Sequence, residues 1–132
     1  MTILEFTLYG QPITKKNHSR IIKQGDRRLL VPSEQYEQYA TDCLWQIRGP
    51  QRLGIDYPVN VECVYYMQTR RAVDLTNLEE ATDDILVAAG VLKDDNCKIL
   101  ATHDGSRVLY DKENPRVEIK ITRYEGKTIL DN

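Results

Sequence analysis

The stretch DLTNLEEATDDILVAAGVLKDD, residues 74–95, joins a helical apolar repeat to a dense run of carboxylates. Leu75, Leu78, Ala81 or Thr82, Ile85, Leu86 and Ala89 recur at three- and four-residue spacing, which predicts a helix from about Leu75 to Ala89 with one buried stripe. Gly90 stands where a left-handed residue ends such a helix. Glu79, Glu80, Asp83 and Asp84 fall off the stripe, and an acidic turn, Lys93-Asp94-Asp95-Asn96, follows. Seven carboxylates (Asp74, Glu79, Glu80, Asp83, Asp84, Asp94, Asp95) against Lys93 give this stretch a balance of −6. Clustered carboxylates repel unless solvated, protonated or bound to a cation, and oxygen-only donors suit Mg²⁺ or Mn²⁺. The plainer reading of the same residues is structural. Thr76-Asn77-Leu78-Glu79 fits a capping box, Asp83 and Asp84 fit a solvated face, and Asp94-Asp95 fits a turn. An EF-hand is excluded, because a loop begun at Asp74 puts Glu79 where glycine is needed and Ile85 where the bidentate glutamate is needed.

Outward from this helix the pattern changes to strands. Val59 to Tyr66 is β-branched and aromatic, and Ile99 to Val108 and Val117 to Tyr124 read as two more strands. Leu4 to Tyr9 alternates apolar with polar residues and stops at Gly10-Gln11-Pro12. Ile21-Ile22 and Leu29-Leu30-Val31 around Gln24-Gly25-Asp26 predict a hairpin with Arg27 and Arg28 at its tip. Pro32-Ser33 opens a helix to about Arg48, capped by Ser33, with Tyr36, Ala40, Cys43, Leu44 and Ile47 at helical spacing and Gly49-Pro50 as its stop. The order predicts one α+β domain over residues 1–132, a mixed β-sheet with two main helices packed on one face.

At 132 residues the chain has room for a single domain with a real core. Its charge of −2 argues against coating nucleic acid by bulk charge, but the total conceals segregation. Lys15, Lys16, Arg20, Lys23, Arg27 and Arg28 against Asp26 give residues 15–28 a balance of +5, and Arg70 and Arg71 add to it. A phosphate-gripping surface beside a metal-ready acidic cluster reads as a metal-dependent nuclease. No apolar run is long enough to span a membrane and the start lacks signal-peptide features, so the expected location is cytoplasmic. Cys43, Cys63 and Cys97 have no CxxC spacing and read as reduced thiols.

The run Asp74-Leu75-Thr76-Asn77-Leu78, then Asp84-Ile85-Leu86, then Gly90-Val91-Leu92-Lys93-Asp94-Asp95, resembles the RusA family of Holliday junction resolvases, best over residues 67–108. The resemblance implies a RusA-like domain in a small homodimeric, Mg²⁺-dependent endodeoxyribonuclease, of a kind often carried by phages and prophages. Such enzymes cut four-way branched DNA with paired symmetric nicks in recombination and repair. It implies catalytic, metal-binding roles for Asp74 and Asp95. Thr76 departs from the family pattern where a relative has aspartate, and Glu80 departs where it has a catalytic lysine. Thr76, Glu80 and Asp84 share a helix face, so Glu80 is expected to supply the missing carboxylate, with Asp84 and Asp94 as further metal ligands. Lys93, Lys15 and Lys16 are the candidate replacements for the lysine. Lys15, Lys16, Arg20, Arg27, Arg28, Arg70 and Arg71 are expected to grip phosphates, with Arg107 as a further contact.

A helix over residues 76–89 is about 21 Å long, and Gly90 to Asp95 reach back at most about 20 Å. Asp95 therefore meets the Asp74 end only if the helix is shorter, if the metal sits on the helix flank near Glu80 and Asp84, or if a second subunit completes the site. His103-Asp104-Gly105-Ser106-Arg107 is read as a strand ending in an Asp-Gly turn rather than as a catalytic cluster, and His18 as a DNA contact. Trp45 and most tyrosines are expected in the core or an interface. The rival class is a non-catalytic branched-DNA-binding protein of the same fold, which would bind junctions without nicking them; a weaker rival is a small acidic interaction module.

Overall fold

The computed structural model describes residues 1–15 and 19–132, and of residues 19, 20, 30 and 32 the backbone only. Lys16 and His18, and the side chain of Arg20, lie outside the described residues. The elements run β1 (Thr2–Tyr9), β2 (Ser19–Gln24), β3 (Arg27–Pro32), α1 (Glu34–Gln46), β4 (Val59–Met67), α2 (Leu75–Ala88), β5 (Leu100–Thr102), β6 (Arg107–Tyr110) and β7 (Arg116–Arg123). Among the described residues these form a mixed five-stranded sheet, β1-β7-β4 with β5 and β6 in turn along the far edge of β4, and the separate hairpin β2-β3. β1-β7 and β4-β7 are antiparallel, whereas β5 and β6 run parallel to β4. A parallel neighbour needs a crossover, and α2 supplies it between β4 and β5.

Strand alternation sorts the sheet into two faces. Val61, Cys63 and Tyr65 lie opposite Ile121, Ile119 and Val117, which in turn oppose Leu4, Phe6 and Leu8. This face carries the core, closed by Tyr36, Tyr39, Cys43 and Ile47 of α1 and its end and by Leu78, Ala81, Ile85 and Leu86 of α2. Both helices thus cover one face, as the apolar spacing predicts. On the opposite face Glu5, Lys120 and Glu62 form one row and Tyr9, Arg116 and Tyr66 another. The helix ends are held from outside by Arg52, whose guanidinium donates to the carbonyls of Leu44 (2.9 Å) in the last turn of α1, of Ile47 (3.1 Å) just after it and of Ala89 (3.1 Å) after α2.

Three expectations change. The hairpin tip is Gly25-Asp26, and Arg27 and Arg28 open β3 opposite Gln24 and Lys23. The strand expected from Ile99 to Val108 is split into β5 and β6. Asn60 accepts from Asp104 N (2.7 Å) and donates to its carbonyl (3.1 Å), holding a turn in which Gly105 takes φ +89°. The capping box at Thr76 is absent because the helix starts earlier: Asp74 is the N-cap and its carbonyl accepts from Asn77 and Leu78 N. Of the two places expected for Trp45, core or interface, its 85% exposure on α1 removes the core. The cysteines are free, Cys43 and Cys63 buried and Cys97 exposed.

Candidate active site

Helix α2 leaves the sheet with the full length its apolar stripe requires, so the shorter-helix solution is overturned. Its solvent-facing side divides into two carboxylate flanks. Glu80 and Asp84, one turn apart, face α1, where burial first, and then the charges of Asp84, Cys43 and Glu80, push the Tyr36 hydroxyl up to about 12. Asp84 Oδ2 is 2.6 Å from Lys15 Nζ, which also lies 5.7 Å over the Tyr36 ring. Glu79 and Asp83, also one turn apart, face the β5–β6 turn. There His103 Nε2 lies 2.9 Å from Asp83 Oδ2, its Nδ1 2.7 Å from the Val61 carbonyl and 3.4 Å from Glu79 Oε2.

The titration of this second flank follows from burial against pairing. Burial raises the Asp83 carboxyl, the hydrogen bond and charge of His103 oppose it, and the charges of Asp95 and Asp84 add to the rise. Glu79 is raised by burial against the pull of His103. Burial pulls His103 down, but the Asp83 hydrogen bond and charge, the Val61 carbonyl and Glu79 outweigh it and leave it above its ordinary value.

Asp95 is exposed, and its charge reaches Asp83 in the middle of α2. The route to it is fixed: Gly90 turns the chain at φ +77°, Val91 and Leu92 bury, and Gly54 and Ile55 hold Gly90, Val91 and Lys93 by backbone hydrogen bonds. Asp94 accepts from Asp95 N (2.7 Å) and Asn96 Nδ2 (3.0 Å), and these bonds hold its carboxyl below the usual range. Asp74 stands at the other end of the helix, accepting from Asn77 Nδ2 at 3.2 Å. Nine residues separate it from Asp83, about 13 Å along the axis. The structure thus gathers Glu80, Asp84 and Lys15 on one flank and Asp83, Glu79 and His103 on the other, with Asp74 at the helix start and the charge of Asp95 acting on Asp83.

Beside Asp74 a cleft of about 470 Å³ opens between the segment after β1 and the β4–α2 loop, lined among others by Gln11, Thr14, Gln35, Gln68 and Arg71. Arg70 stacks on Tyr110 at 4.1 Å and Arg107 reaches Glu62 (3.4 Å) and the Gly105 carbonyl (2.7 Å). Arg27 and Arg28 are exposed on β3. Sequence reasoning missed the Asp83–His103 pair; its only signal was the i, i+4 spacing of Glu79 and Asp83.

Residues 10–122 match the family of Endodeoxyribonuclease RusA. Crossover junction endodeoxyribonuclease RusA of Aquifex aeolicus (strain VF5) is 27% identical over 121 residues, which is 91% of this chain and 93% of that relative. A mixed sheet with an acidic crossover helix and this match define a nuclease class. The chain belongs to the RusA family of endodeoxyribonucleases. Enzymes of the family are generally dependent on a divalent metal, and the donor chemistry here suits one. The candidate ligands are oxygens, and Asp83 Oδ1 is buried with no hydrogen-bond partner among the described residues. Among the described residues no three His, Cys, Asp or Glu side chains enclose an ion by themselves, so an ion here would complete its shell with water or phosphate oxygens, as Mg²⁺ does. No described helix is long and apolar enough to cross a membrane.

Proposed function

We propose that this chain is a Mg²⁺-dependent endodeoxyribonuclease, with Mn²⁺ as a substitute, that resolves four-way DNA junctions by paired symmetric nicks as a homodimer. The observation that carries the reading is the family match combined with carboxylates on both flanks of one helix. Asp74, Asp95 and Glu80 are the catalytic carboxylates, and Asp84 and Asp94 complete the metal-binding set. A bound divalent ion would activate water and stabilise the leaving oxygen.

The protein's own groups position the substrate. Lys15 takes the place of the absent helix lysine, since its ammonium already stands at the Asp84 face of α2; Lys93 lies after the helix and Lys16 outside the described residues. Arg71 lines the cleft beside Asp74 and directs a backbone phosphate toward it. Arg70, Arg107, Arg27 and Arg28, with Lys16 and Arg20, extend the phosphate grip over neighbouring duplex arms. Two copies related by a two-fold axis present two identical sites, which suits a junction cut symmetrically on two strands.

The test is a labelled synthetic four-way junction incubated with and without Mg²⁺, using the parent and Asp74→Asn. Symmetric nicks that need Mg²⁺ and vanish in the variant are expected. Junction binding without nicks under any divalent ion would replace this reading with the non-catalytic one.

A further inference from the structure

We infer that the hairpin β2–β3 is a branch-recognition arm, in which Ile21 packs against a base pair left unstacked at the centre of branched DNA while Lys23 and Arg28 hold the phosphates beside it. The inference rests on the proposed branched-DNA substrate and adds to it the element that tells a junction from linear duplex. Among the described residues β2 and β3 pair with each other and with no strand of the main sheet. All eight residues from Ile21 to Arg28 are exposed, so neither face of this part of the ribbon is covered. An isolated two-stranded hairpin is at best marginally stable in water. Ile21 is nevertheless held out at 68% exposure, an apolar side chain on an arm that needs a surface to lie on.

The charge on the arm says what that surface is. Register sets Lys23 directly opposite Arg28, and Gln24 opposite Arg27. Like charges facing each other across two strands destabilise the pair, and among the described residues no carboxylate forms an ion pair with Lys23, Arg27 or Arg28. A polyanion removes that repulsion. Positive charge alone would serve to keep a free strand edge from aggregating, but an exposed isoleucine beside it defeats that purpose. Alternation places Ile21, Lys23 and Arg28 on one face, the isoleucine about 7 Å farther from the hairpin tip than the charges. A two-stranded ribbon fits the major groove of duplex DNA, and apolar wedges, isoleucine among them, are used where base pairs are unstacked. A junction opened at its centre presents such base pairs, whereas linear duplex must first be unstacked.

The test is equilibrium binding of a synthetic four-way junction and of linear duplex of equal length, without divalent ion, by the parent, Ile21→Ser, Ile21→Leu and the double variant Lys23→Gln with Arg28→Gln. Ile21→Ser should bind the junction about tenfold more weakly with its duplex affinity unchanged, and Ile21→Leu should restore the junction affinity. The double charge variant should weaken binding to both DNAs and flatten the slope of log affinity against log salt by about 0.9 per residue removed. Ile21→Ser should melt with the parent, since the side chain is exposed; a fall in melting temperature would make it a packing residue and overturn the inference. So would equal loss on both DNAs, which leaves the arm a general phosphate grip, or a shift from dimer to monomer in sedimentation, which assigns the arm to a second copy of the chain. A parent that binds no junction sinks the proposed substrate itself, whereas a parent and an Ile21→Ser variant that bind the junction equally sink only the arm.

Discussion

Asp74 begins α2 without capping it through its side chain, since its carboxylate takes Asn77 Nδ2 rather than a backbone N–H. A carboxylate at a helix N-terminus without a capping bond is held there by the dipole and by its neighbour. Glu80, farther along, faces Tyr36 together with Asp84. Replacing it with Gln keeps the volume and removes the charge. Glu80→Gln should therefore abolish Mg²⁺-dependent nicking without a change in melting temperature; full activity in the variant would refute its assignment. On the open sheet face Arg116 donates to Asp111 (2.9 Å) and Glu118 (3.0 Å) and stacks on Tyr66 at 3.8 Å. The Arg116 hydrogen bond, helped by the N–H groups of Asn114 and Glu113, holds the Asp111 carboxyl below its ordinary value. A depressed carboxyl adds stability above its unfolded pKa of about 3.9 and loses it as pH falls through the native value. Asp111→Asn should accordingly melt below the parent at neutral pH, and the gap should close under acid titration below about pH 4.

At the scale of elements, α1 and α2 both end under Arg52. Its guanidinium satisfies carbonyls that a helix C-terminus leaves without intrahelical partners. Hydrogen bonds involving a charged group contribute about 1.5–3 kcal/mol each when buried, and part of that survives at this partly exposed position. Arg52→Ala should destabilise the fold by roughly 2 kcal/mol in urea unfolding, and Arg52→Lys should recover less than half, because one ammonium cannot serve two helix ends. A change under 0.5 kcal/mol in the alanine variant would show that water replaces the clamp. The same element pair carries the proposed site, since α2 bears the carboxylates and its exit loop leads to Asp94 and Asp95.

Across the whole molecule the question is whether one subunit holds a complete site. The charge of Asp95 acts on Asp83 of its own chain. Under the proposal that each subunit holds its own Asp74 and Asp95 pair, mixing cannot repair the site: combining Asp74→Asn and Asp95→Asn subunits should restore no junction cleavage, and partial recovery in the mixture would place the site across the dimer.

Periodic information was legible from the amino-acid order. The stripe Leu78, Ala81, Ile85, Leu86 located α2, alternation located β1, β-branched and aromatic content located β4, and Ser33, whose Oγ accepts from Tyr36 N at 3.1 Å, located the start of α1. These features follow from local geometry, in which side-chain direction repeats every 3.6 or 2 residues. The acidic and basic runs were legible for the same reason, as neighbours in sequence. What the order of residues left open was which charges meet. Lys15 and Asp84 are 69 positions apart, His103 and Asp83 are 20 apart, and Arg52 reaches Ala89 across 37. Such pairings depend on strand register, on the turn pinned by Asn60 and on the exit path of α2. The sequence by itself determined an α+β domain with an acidic crossover helix; the tertiary structure decided that its carboxylates divide between Lys15 and His103, because only packing brings groups so distant in the chain within hydrogen-bond reach.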